Sequence, residues 1–212
     1  MSYRAGQCAG ALGTAASRGA AVLVLAAVLA ACGGGGDNPL GNPPTVANPE
    51  GGANGQKLSF VYYQRCINPL FVQPIVTNGA ANTCAASGCH GDATGVGGAF
   101  RLVPAAALVD LANAGNTPEV VRQTDMYKNF YSAQGSSLLG DPAQSLLLKK
   151  PLVQNVLHGG GVIFLNEQDP NVRRIRYWIG RPVPQGQDEF STAAGNAMFT
   201  PPDAATGTCN SQ

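Results

Sequence analysis

Apolar residues cluster into short segments separated by turn formers. Leu58 to Ile67 is the first segment, with Phe60, Tyr63 and Ile67 on one helical face and Asn68-Pro69 placed to end it. Pro104 followed by an alanine-rich stretch to Ala112 predicts a second helix with proline in its first turn, stopped by Asn113 to Asn116. Thr117-Pro118-Glu119 opens a third, which the spacing carries to about Tyr131 with an acidic side chain at its positive end. The last is the clearest. Asp169 caps it, Pro170 fits the first turn, Val172, Ile175 and Ile179 share a face beside Trp178, and Gly180 with Pro182 stops it. Strand patterns are weak, so the expected class is mostly α with many loops.

The amino-terminal pattern is of another kind. Arg4 and Arg18 precede an uncharged run from Gly19 to Ala31, which has the charged leader and apolar centre of an export signal and is too short for a membrane span. It closes on Leu29-Ala30-Ala31-Cys32, which resembles the lipobox of bacterial lipoproteins. That resemblance implies cleavage before Cys32, lipid on its sulfur, and a domain held at a bilayer in the cell envelope. Gly33 in place of aspartate after the cysteine implies the outer membrane, on its periplasmic or surface face. Residues 33–56 hold almost no side chain worth burying and read as a flexible linker. The expected organisation is a leader at 1–31, a lipidated cysteine and linker at 32–56, a folded domain at 57–182 and an irregular tail at 183–212.

Charge narrows the partners. With 13 Lys+Arg against 12 Asp+Glu the chain is nearly neutral, which excludes nucleic-acid binding driven by a basic excess. The chain has six cysteines, and once Cys8 leaves with the leader and Cys32 takes lipid, Cys66, Cys84, Cys89 and Cys209 remain. An exported protein does not leave all of these as free thiols. It has two histidines, so imidazole chemistry must use His90 or His158.

Cys84-Ala85-Ala86-Ser87-Gly88-Cys89-His90 resembles the haem-attachment motif of c-type cytochromes. The spacer departs from the family, with four residues where two are usual. A small, flexible Ala-Ala-Ser-Gly spacer accommodates the change by bulging outward. A zinc site is a weaker reading, because a closed site needs four ligands and no second Cys-x2-Cys or His pair is available. The resemblance extends from about Phe71 to Pro182, through Phe100-Arg101-Leu102, Asp141-Pro142 with Ser145-Leu146-Leu147, His158-Gly159-Gly160-Gly161 and Tyr177-Trp178-Ile179-Gly180. It implies a small cytochrome c-like domain whose first and last helices cross behind one covalent haem c held through Cys84, Cys89 and His90.

For the sixth iron position the candidates are His158, Met126 and Met198, with open iron as the remaining arrangement. His158 leads, because three glycines after it let backbone approach a flat macrocycle. With Cys84 and Cys89 assigned to haem, Cys66 and Cys209 are expected to pair as a disulfide. The leading functional expectation is single-electron transfer with redox partner proteins from a membrane tether. A peroxidase-like haem enzyme and a haem-free, disulfide-stabilised lipoprotein that binds partners are the alternatives.

Overall fold

The structure is a computed structural model, and it describes residues 57–77 and 80–212. The expected leader, Cys32 and the linker to residue 56 lie outside the described residues, as do Asn78 and Gly79. Ser59 starts the first helical run by accepting a hydrogen bond from Tyr62 N–H at 3.2 Å. The run comprises α1 (Phe60–Tyr62), a π-helical turn (Tyr63–Ile67) and α2 (Asn68–Val72). The helix was expected to end at Asn68-Pro69, yet it continues through them. In the π turn Asn68 N–H bonds the Tyr63 carbonyl, and this change of register leaves Pro69 in the first turn of α2, where its missing N–H costs no bond. The run is buried all round rather than on one face, with Phe60, Tyr62, Tyr63, Cys66 and Ile67 all inside.

A ribbon of β1 (Ile75–Thr77) antiparallel to β2 (Ala80–Asn82), pairing Ile75 with Asn82, leads the chain into Cys84. The helix expected from Pro104 to Ala112 does not form. Gln64 takes both backbone groups of Val109, its Oε1 accepting from Val109 N–H at 2.9 Å and its Nε2 donating to Val109 O at 3.2 Å. A residue whose N–H and C=O are both committed to a side chain cannot enter a helical ladder, so tertiary pairing overrides alanine's propensity here. The single helix expected from Thr117 is two, α3 (Pro118–Val121) and α4 (Asp125–Gly135). Thr124 separates them: its hydroxyl donates to the Val121 carbonyl at 2.7 Å and accepts from Tyr127 N–H at 3.2 Å, closing one helix and capping the next.

After α5 (Leu146–Lys149), α6 (Pro170–Ile179) follows the sequence pattern. Asp169 accepts from Asn171 N–H at 2.8 Å, and Val172, Ile175 and Ile179 are fully buried with Trp178. Residues 183–212, expected to be irregular, contain α7 (Thr192–Asn196) and a ribbon of β3 (Phe199–Thr200) with β4 (Thr208–Cys209). Gly195 sets the approach of α7 to α1, since a Cβ there would lie 2.5 Å from Val61 Cβ. The glycine content that suggests looseness in the sequence serves close packing in the fold. Cys209 on β4 is disulfide-bonded to Cys66 in the π turn, across a sequence separation of 143.

The core centres on Trp178, whose indole N–H donates to Ser59 O at 3.0 Å while its ring lies 5.3 Å from Tyr63 and 6.2 Å from Phe130. The first and last long helical segments are thereby joined by a buried hydrogen bond as well as by rings. Buried Asn129 on α4 pins the segment after the cysteine motif, accepting from Val103 N–H at 2.7 Å and donating to Val103 O at 3.0 Å and to Asn68 Oδ1 at 2.9 Å. No helix among the described residues is long and apolar enough to cross a membrane. Replacing Cys66 and Cys209 together by alanine is expected to lower stability by about 2–5 kcal/mol, because the cross-link closes a very long loop. Denaturant unfolding of oxidised and double-variant protein checks this; equal midpoints would contradict it.

Candidate functional site

The Cys84 to His90 segment folds as consecutive turns held at both ends. Ala85 N–H donates to Phe71 O of α2 at 3.0 Å, and His90 N–H returns to Cys84 O at 3.0 Å. Between them Ala86 O accepts from both Cys89 and Gly91 N–H, so Ser87 and Gly88 project to the exposed side. This places Cys84, Cys89 and His90 on one short, closed loop. Both sulfurs are free thiols and half-buried. Burial, with Cys89 beside it, pushes the Cys84 thiol up to about 11, so it stays neutral at ordinary pH.

His90 is fixed from several sides. Its carbonyl accepts from Leu102 N–H at 2.8 Å, and its ring lies 4.8 Å from Phe100. Its Nδ1 stands 3.0 Å from the Phe100 carbonyl. A carbonyl oxygen only accepts, so Nδ1 carries the proton and the lone pair of the neutral ring is on Nε2. Burial holds the His90 pKa below its usual value; the bond to Phe100 O opposes this, and His158, Arg101 and Lys150 reinforce it. Neutral imidazole is the form that binds metals. Gly97 leaves room for the ring: a Cβ there would lie 2.3 Å from Nδ1 and 2.5 Å from Cε1.

His158 comes from a loop closed at its base by Ile163 N–H donating to Pro151 O at 2.8 Å. Gly161, at φ 71°, turns the backbone so that its carbonyl receives the His158 Nδ1 proton at 2.8 Å. Both histidines thus commit Nδ1 to a backbone carbonyl and keep Nε2 for another partner, the arrangement in which metal-ligating histidines are normally held. Their rings lie 6.1 Å apart between centroids with planes only 10° apart.

Among the described residues no three His, Cys, Asp or Glu side chains gather as a ligand set. Two imidazoles alone fall short of a closed zinc site. The structure places Cys84, Cys89 and His90 on one loop and sets the ring of His158 beside that of His90. Met126 and Met198, the other candidates for the metal, are buried side chains of the core cluster, on α4 and just before β3.

The carbonyls of Phe100 and Gly161 and the space at Gly97 were not among the sequence candidates. Their only trace in the sequence is glycine enrichment after each histidine. Comparison with protein-family models, with characterised proteins and with solved structures finds no match to this chain. Gly97→Ala is expected to push the His90 ring off the Phe100 carbonyl and to destabilise the fold by about 1–3 kcal/mol, as overpacking does. Histidine-selective NMR of Gly97→Ala checks this against Gly88→Ala, where an added Cβ meets nothing within 4 Å. Identical His90 spectra in the two variants would contradict the steric account.

Proposed function

We propose that this chain is a lipid-anchored c-type cytochrome of the cell envelope, with a cytochrome c-like domain that carries single electrons between redox partner proteins. The observation that carries the reading is the parallel pair of imidazoles, His90 and His158, each with Nδ1 bound to backbone and Nε2 left over. In this reading Cys84 and Cys89 would hold haem c through thioethers, and His90 and His158 would ligate its iron. Bound haem supplies a one-electron iron couple whose potential depends on the axial ligands and their surroundings.

The chain's residues support such a couple by resisting rearrangement. Phe100 O and Gly161 O fix ring orientation and raise ligand basicity. The Cys84–His90 hydrogen bond closes the attachment loop, and Asn129 clamps the segment that follows Phe100. Pairing of Cys66 with Cys209 leaves Cys84 and Cys89 as the thiols for attachment in an oxidising compartment. The packing of Trp178 against Ser59 and Tyr63 supports the reading of first and last helices crossing behind the site. The lipid anchor at Cys32 and an outer-membrane location rest on the leader sequence.

Full-length protein produced with a cytochrome c maturation system should retain pigment on a denaturing gel and lose it when Cys84 and Cys89 are both changed to alanine. Colourless wild-type protein would leave a tethered disulfide domain without redox function. In pigmented protein, His158→Met should raise the reduction potential, because a thioether favours reduced iron relative to imidazole. An unchanged potential and visible spectrum would remove His158 from the metal.

A further inference from the structure

A second chemical site is built around Glu189. Glu189 is 2% exposed. Its Oε1 accepts from Tyr127 O–H at 2.9 Å, from Arg122 Nε at 3.1 Å and from Arg122 Nη2 at 3.0 Å. Burial pushes the Glu189 carboxyl up, but its own backbone N–H, the Tyr127 hydroxyl and Arg122 outweigh this and hold it below its ordinary value, so it is a carboxylate. Tyr127 is itself largely buried, with Phe130 at 5.4 Å, Phe60 and Phe190 each at 5.8 Å and Tyr131 at 6.5 Å between ring centroids. Tyr131 is 55% exposed.

Oxidised tyrosine is a strong acid, so a tyrosine yields an electron readily only where a base stands at its hydroxyl. The hydroxyls of buried Tyr62 and Tyr63 meet weaker bases: Tyr62 donates to the Asn210 carbonyl, and Tyr63 donates to Asn68 Oδ1 at 3.5 Å. Tyr127 has a carboxylate. From Tyr127 a run of rings continues through Phe130 to Tyr63 at 5.5 Å, to Phe71 at 6.5 Å, to Phe100 at 5.3 Å and to His90 at 4.8 Å. Electron exchange falls steeply with separation and with gaps in packing, so this run of rings couples Tyr127 to the His90 side as a bridge, without any phenylalanine ring itself being oxidised.

We propose that Tyr127 is a proton-coupled redox tyrosine: it gives one electron to a strong one-electron oxidant arriving at Tyr131, and its phenolic proton passes to Glu189 Oε1. The electron is then replaced along the rings from the His90 side, and the proton returns from Glu189 as the phenol re-forms. The replacement step rests on the cytochrome reading, with ferrous iron oxidised to ferric; the tyrosine–carboxylate step does not. Such a relay disposes of damaging oxidising equivalents at the exposed end of the core.

The test uses the full chain and a flash-generated ruthenium(III) polypyridyl complex, which is reduced to ruthenium(II). In haem-free protein a long-lived phenoxyl radical is expected by electron paramagnetic resonance, forming more slowly in D2O. Tyr127→Phe should abolish the long-lived component, leaving only a short-lived radical at exposed Tyr131, and Glu189→Gln should remove most of that component. A radical undiminished in either variant overturns the proposal. If Glu189→Gln fails to fold, Tyr127→Phe, which keeps both Arg122 bonds to Glu189, still decides. In reduced, haem-loaded protein the radical should decay faster, in step with haem oxidation, and Phe71→Leu should slow that decay. Decay no faster than in haem-free protein overturns the link to His90 while leaving the cytochrome reading to its own pigment test.

Discussion

Two backbone carbonyls govern how this molecule presents its histidines. Phe100 O and Gly161 O each take a proton from an imidazole Nδ1, and by doing so they choose the tautomer, the ring plane and the nitrogen that remains. Neither carbonyl belongs to a regular element. Each is held in place by other parts of the chain: Arg101 and Val103 N–H, on either side of Leu102, bond to Ser132 and Asn129 of α4, and the base of the His158 loop is closed from Pro151 to Ile163. The placement of the Phe100 carbonyl therefore derives from α4, and that of the Gly161 carbonyl from the closure of its own loop.

The same helix contributes to the aromatic core, and the two roles are linked through Phe71. Its carbonyl anchors Ala85 inside the cysteine loop, while its ring joins Tyr63 to Phe100. The carboxyl-terminal segment closes this core from the other side. Gly195 allows α7 onto Val61, Cys209 is bonded to the π turn, and Glu189 O accepts from Phe60 N–H at 2.9 Å. A short domain with many loops gains its rigidity from these cross-chain ties, because little of it is long enough to be stable as isolated helix.

Some of this was legible in the sequence. The helix from Pro170 to Ile179 carries cap, first-turn proline and apolar stripe together, so local and tertiary signals agree. The grouping of Cys84, Cys89 and His90 was legible because seven consecutive residues contain it. The rest depended on information that spacing does not hold. Gln64 captures Val109 from far along the chain and prevents a helix that alanine composition favours. Thr124 divides a helix because its hydroxyl serves two turns at once. Residues 183–212 looked irregular because glycine marks both loose loops and close approaches, and only the packing partner distinguishes them. The acceptors of the histidine protons were illegible for a similar reason: a backbone carbonyl has no letter of its own.

The parallel imidazole pair is the claim on which the functional reading stands, and its electronic consequence is measurable. Low-temperature electron paramagnetic resonance of the oxidised, matured protein reports both the identity of the axial ligands and the angle between their planes. Two near-parallel imidazoles on low-spin iron should give a well-resolved rhombic signal, in keeping with rings 10° apart. A high-spin signal, or a low-spin signal belonging to a methionine ligand or to crossed imidazole planes, would contradict the account.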